Sequence, residues 1–139
     1  MARILAIDYG RKRTGIAVTD PLKIIANGLK TVATYEIWIF LDEYLKNEKV
    51  EKIIVGYPLQ TDGKPSESIR YINPFLKKLQ VKYSNIKIET ADERFTSKIA
   101  YQTMIDAGLK KKALKNKALV DTISATIILQ SYLESPLNK

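Results

Sequence analysis

The sequence predicts an α/β domain: a five-stranded mixed sheet, made of a three-strand meander plus two parallel strands, flanked by about four helices. Three observations predict it. Residues 2–33 hold three extended apolar segments separated by a glycine-bracketed turn and a proline. The rest of the chain alternates helix-spaced apolar stripes with two short strand-like runs, the order expected of strands joined by helical crossovers. The 139 residues are enough for one domain with its own core, and residues 1–139 are read as a single unit.

The first two strands, 2–9 and 15–20, are joined from Gly10 to Gly15, where two glycines suit a tight turn around Arg11, Lys12 and Arg13. Pro21 marks a break before a third extended segment, 24–33. Thr34 is read as the N-cap of a first helix, whose apolar stripe is Ile37, Phe40, Leu41, Tyr44 and Leu45. Trp38 lies off that stripe and is read as packing. A nearly all-apolar run, 51–56, has the pattern of a buried parallel strand. The loop after it, 57–65, contains Pro58, Gly63 and Pro65; it either borders a site or merely connects two elements.

Ser66 is placed to cap a second helix with Ile69, Ile72, Leu76, Leu79 and Tyr83 on one face, and Pro74 predicts a kink or a late start. The fifth strand, 86–93, ends in Asp92 and Glu93 and is followed by Arg94. A third helix from about Thr96 to Ala107 is closed by Gly108. Lys110, Lys111, Lys112, Lys115 and Lys117 then form an unneutralised cationic run, either a solvated segment or a grip on a nucleic-acid backbone. The last helix, 118–133, is apolar nearly all round apart from one acid, Asp121. An unpaired carboxylate there is costly, so Asp121 pairs with Lys117 one turn earlier or binds a cation.

Composition narrows the chemistry. Histidine and cysteine are both absent, which excludes disulfides, thiolate catalysis, cysteine-ligated zinc and histidine acid–base work. Oxygen-ligated hard cations, magnesium or manganese, are the leading catalytic option that remains. A net charge of +8 and an isoelectric point near 9.6 point to a polyanionic partner such as RNA or DNA. No apolar run nears the roughly 20 residues needed to span a bilayer, and the first residues read as a strand, not a secretion signal. A cytoplasmic location without a membrane partner is expected.

Three acidic positions stand at special places: Asp8 at the end of strand one, Asp92 and Glu93 at the end of strand five, and Asp121 near the start of the last helix. The element order is that of the ribonuclease-H-like fold, in which carboxylates converge over the sheet to hold divalent metals. The chain resembles the YqgF (RuvX) family of pre-16S rRNA nucleases, also described as Holliday-junction-resolvase-like. Four motifs carry the resemblance: Asp8 through Gly15 and Ala17 as D-x-G-x-x-R-x-G-x-A, and Val55-Gly56-Tyr57-Pro58-Leu59 as V-G-x-P-L. Asp92-Glu93-Arg94 with Thr96-Ser97 matches D-E-R-x-T-[ST], and Lys117, Asp121 and Ala125 fit K-x-x-x-D-x-x-[SA]-A.

The resemblance implies that Asp8, Glu93 and Asp121 are metal-binding catalytic carboxylates, with Asp92 as the substitute for Glu93. Arg13 and Lys117 would contact phosphate, and Arg94 would orient the acid beside it. Arg11, Lys12 and the lysines at 110, 111, 112 and 115 would track the flanking backbone. The implied activity is metal-dependent endonucleolytic processing of the 5′ end of precursor 16S rRNA in ribosome biogenesis. Its partners would be structured nucleic acid, RNA in preference to DNA, and ribosomal precursor particles, with the protein a monomer or homodimer. Two alternatives stand beside it: a four-way DNA junction resolvase, and a non-catalytic RNA-binding assembly factor. Compared with RuvC-type resolvases, Ser124 stands where a further acid would follow Asp121, and the strand ending at Gly56 lacks an acid. Such a difference alters the carboxylate set. An actin-like phosphate loop is the remaining reading of Asp8 to Gly15, but 139 residues leave no room for its second domain.

Overall fold

The computed structural model describes residues 2–23, 25–57, 67, 69–92 and 117–134, with backbone alone at Asp92 and 117–121. Five strands, β1 (Arg3–Tyr9), β2 (Arg13–Thr19), β3 (Ala26–Ala33), β4 (Val50–Tyr57) and β5 (Lys87–Asp92), form one sheet in the order β3-β2-β1-β4-β5. β1 pairs antiparallel with β2, and β2 with β3, which is the expected meander. β4 lies parallel to β1, and β5 parallel to β4. Helix α1 (Ile37–Asn47), preceded by a 3-10 turn over Thr34–Glu36, precedes β4, while α2 (Ile69–Lys82) connects β4 to β5. The last helix, α3, is Lys117–Glu134.

Strand alternation assigns the two faces. Leu5 and Ile7 of β1, Ile16 of β2, and Ile53 and Val55 of β4 pack with Ile37, Leu41, Ile72, Phe75 and Leu79, so α1 and α2 cover one face. Ile4, Ala6, Ala17, Ala26 and Ile54 pack with Ala125, Ile128 and Leu129, so α3 covers the other. The part of β4 from Ile53 to Gly56 is buried, between α1 and α2 on one side and α3 on the other, which is why this part of its sequence is apolar. Truncating a fully buried residue such as Leu5 or Ile53 to alanine should cost about 2–5 kcal/mol.

Several expectations need correction. Among the described residues the sheet carries three α-helices, not about four; the helix expected between Thr96 and Ala107 lies outside those residues. Ser66 and the loop 58–65 also lie outside them. Gly15 is not a turn residue: β2 begins at Arg13, and Gly15 sits inside it. Helix α2 starts at Ile69, five residues before Pro74, with the proline within it. The missing N–H frees only a first-turn carbonyl, at exposed Arg70. Phe75, not Leu76, is the deeply buried residue of that turn, stacked on Tyr9 with ring centroids 4.0 Å apart. Trp38 packs against Phe75 at 5.2 Å, under the ammonium of Lys78 at 4.8 Å, as its reading as packing predicted.

Thr34 does not cap α1. Neither the 3-10 turn nor α1 has a side-chain cap. The Thr34 hydroxyl instead donates to the Gly10 carbonyl at 2.7 Å and lies 2.9 Å from the Thr14 hydroxyl, while its N–H donates to the Lys12 carbonyl at 3.0 Å. The residue is thus a clamp between the β1–β2 turn and the end of β3.

Candidate active site

Asp8 is half-buried near the carboxyl end of the central strand. It lies two residues beyond Ala6, so alternation turns it toward the α3 face, while Tyr9 turns to the opposite core. Across the sheet Asp8 stands opposite Gly15, and Gly15 opposite Thr31. On the other side Ile7 pairs with Val55, so the next step sets Asp8 beside Gly56, which pairs with Ala91. The row Thr31, Gly15, Asp8, Gly56, Ala91 therefore crosses all five strands with one carboxylate at its centre and small residues around it. The residues in register with the acid on both neighbouring strands are glycines, without side chains.

Helix α3 is set over this end of the sheet. The Thr31 and Thr122 hydroxyls hydrogen-bond at 2.5 Å. Gly28 permits close approach, since a Cβ there would meet Thr122 Cγ2 at 2.6 Å and Thr126 Oγ1 at 3.1 Å. Toward its other end the helix is held by Gln130 Oε1, which accepts the Ala26 N–H at 3.1 Å. α3 thus runs antiparallel to β3 and β1, and its first turns, which include Lys117 and Asp121, lie over the end of the sheet where Asp8 stands.

A separate polar cluster occupies the opposite end. Lys52 Nζ donates to the Tyr132 hydroxyl at 2.5 Å, and that hydroxyl donates to Glu89 Oε2 at 2.7 Å. The bond from Tyr132, then the ammonium groups of Lys87 and Lys52, hold the Glu89 carboxyl below its ordinary value. Burial opposes the Lys52 charge, but Tyr132 and Glu89 outweigh it and raise that group. The cluster pins α3 to the start of β4 and β5; it is structural, not part of the Asp8 site.

The remaining expected site residues distribute as follows. Arg13 opens β2 and is exposed, as are Arg11 and Lys12 in the turn before it. Gly10 makes this turn tight, because a Cβ there would lie 2.3 Å from the Arg13 carbonyl oxygen. Asp92 ends β5 in register with Tyr57. Glu93, Arg94, Lys110, Lys111, Lys112 and Lys115 lie outside the described residues, as do the side chains of Lys117 and Asp121. Among the described residues no three potential ligands cluster, and Asp8 is the one proposed ligand whose side chain lies within them. Its carboxylate oxygens are the donor type that a hard cation takes. Thr31, Thr122, Thr34 and Gly56 were missed as site-building residues; the only local signal was the pair of glycines at matching ends of neighbouring strands.

The family model described as "RuvX: Holliday junction resolvase" matches residues 2–135. A relative from Phocaeicola vulgatus, named "Putative pre-16S rRNA nuclease", is 61% identical over 135 residues, covering 97% of each chain. One of the same name from Christiangramia forsetii is 60% identical over 133 residues, covering 96% of this chain and 98% of its own. Among solved structures, Thermus thermophilus RuvC in complex with a Holliday junction substrate superposes with a TM-score of 0.59 at 18% identity, covering 95% of this chain and 94% of that one. That likeness shows a shared fold. The sheet order and its two helical layers define a ribonuclease-H-like domain of the RuvC kind. Within that class, the chain belongs to the RuvX family.

Proposed function

We propose that this protein is a divalent-metal-dependent endonuclease that hydrolyses phosphodiester bonds and matures the 5′ end of precursor 16S rRNA in the cytoplasm. The observation that carries the reading is Asp8 at the centre of a row of small residues, under the first turns of the helix that bears Asp121. The names of the relatives at 54–61% identity support the RNA substrate, and the net charge of +8 suits it.

Asp8, Glu93 and Asp121 would hold magnesium or manganese, which when bound supplies an activated water and stabilises the leaving oxygen. Glu93 is preferred to Asp92 because Glu89 and Ala91 both face α3, the face that Asp8 shares, and strands alternate with period two. Arg13 and Lys117 bind the phosphate flanking the cleaved bond, and Arg94 orients Glu93. Arg11, Lys12 and the lysines from 110 to 115 bind backbone phosphates further out, so binding should weaken steeply with salt.

A second reading, a four-way junction resolvase, is favoured by the description of the matching family. Ser124, three residues after Asp121, and the apolar carboxyl end of β4 count against a RuvC-like carboxylate set. The deciding experiment incubates a precursor rRNA fragment spanning the 16S 5′ end and a four-way DNA junction in parallel, with magnesium, manganese or chelator. Metal-dependent cleavage of the RNA alone is expected. Paired nicks in the junction would establish the resolvase, and salt-sensitive RNA binding without turnover would establish a non-catalytic assembly factor.

A further inference from the structure

Tyr35 differs from the other tyrosines. Among the described residues, Tyr9, Tyr44 and Tyr71 contact another aromatic ring, and Tyr57, Tyr83 and Tyr132 each donate a hydrogen bond. Tyr35 has neither kind of contact, and it is 83% exposed. Leaving an aromatic ring of this size in water forgoes the burial that places the others. Ile39, four residues on, is also largely exposed and widens the apolar surface.

The position of Tyr35 gives that exposure a meaning. It directly follows Thr34, whose hydroxyl and N–H hold the Gly10 and Lys12 carbonyls. Tyr35 thus follows directly on the residue that clasps the turn bearing Arg11, Lys12 and Arg13, all exposed. Lys30, on the strand leading to it, adds an exposed cation, while Glu36 is the one acid nearby in the chain. Turn and tyrosine lie at the same end of the sheet as Asp8. From strand spacing and rise, the end of β3 is on the order of 12 Å from Asp8. Cations that track a backbone, next to an open aromatic face, are the two components of a single-strand grip: phosphates bind the charges, and a base stacks on the ring.

We infer that Tyr35, with the Arg11–Arg13 turn, is a stacking platform for a single-stranded segment of nucleic acid flanking the bond addressed at Asp8. The inference rests on the nuclease reading for its biological use, but its test does not need cleavage. Binding of the full chain to a fluorescein-labelled single-stranded oligouridine and to a blunt RNA duplex is measured by anisotropy in chelator, across a range of salt. Tyr35→Ala should weaken single-strand binding about tenfold, leave duplex binding unchanged, and keep the salt slope. Tyr35→Phe, which keeps the ring, should bind like the wild type. Replacing Arg11 and Lys12 together by alanine should instead flatten the slope of log affinity against log salt, by about 0.7 for each phosphate no longer neutralised. The inference is overturned if Tyr35→Ala binds the single strand normally, or if it loses affinity equally for duplex and single strand. Wild-type protein that binds the single strand but never cleaves with metal would sink the nuclease reading and leave the platform standing.

Discussion

Asp8 and Gly15 face one another across the antiparallel pair of β1 and β2, a carboxylate opposite a residue with no side chain. Gly56 follows in register on the other side, so the acid is flanked by glycine on both neighbouring strands. A sheet interior normally fills such positions, because cross-strand pairs contribute to its stability. Glycine at both positions forgoes those pairs beside Asp8.

The seating of α3 depends on Gly28. A methyl group there would collide with Thr122 Cγ2 at 2.6 Å. Thr122 is β-branched and bonded through its hydroxyl to Thr31, so it cannot rotate away without losing that bond. Gly28→Ala should destabilise the protein by about 1–3 kcal/mol, read as a lower urea midpoint at unchanged slope.

Thr31→Val keeps the shape of the side chain and removes the hydroxyl that holds Thr122 at 2.5 Å. A loss of about 1 kcal/mol is expected. Because Asp121 precedes Thr122 in the helix, the variant should also need more manganese for half-maximal cleavage. Thr31→Ser should restore both; calorimetric melting and metal titrations of cleavage separate the two effects.

Stability should fall on acidification. The Asp42 carboxyl is held below its ordinary value, first by the hydrogen bond from Tyr83 at 2.7 Å and then by Lys82, and Glu89 is lowered chiefly by Tyr132. A carboxyl lowered in the folded state stabilises it above the unfolded pKa of about 4, and that contribution disappears as pH drops through the folded value. Tyr83 is raised, first by burial and then by Asp42, so its contribution is fully present below about pH 10 and declines as pH rises from there toward the raised folded value. Urea midpoints at pH 7, 3 and 11 should fall at both extremes, and Tyr83→Phe should show smaller drops than the wild type.

The sequence carried the architecture well because its strongest signals were periodic. The meander, both parallel strands, the apolar stripe of α1 and the nearly all-round apolar surface of α3 follow from patterns that tertiary contacts reinforce. The misreadings of Gly15, Thr34 and Leu76 came from local rules overruled by contacts distant in sequence. Gly15 looked like a turn glycine, but its partner is Asp8 in a strand. Thr34 looked like a cap, but its hydroxyl serves the Gly10 turn. Phe75 lost to Leu76 on spacing because the stacking demand of Tyr9 is invisible along the chain. The place of Asp8 at the end of the first strand was legible; the Thr31–Thr122 bond and the glycine on β4 beside Asp8 were not, since both require the sheet order.

The most direct measurement is magnesium- and manganese-dependent cleavage of the precursor rRNA fragment by the wild type, Asp8→Asn and Asp121→Asn, with RNA binding measured alongside in chelator. The wild type should cleave. Both variants should lose cleavage by at least about a hundredfold, since a charge on the reacting centre is removed, while binding stays within a few-fold. Cleavage that survives in both variants would contradict the central claim.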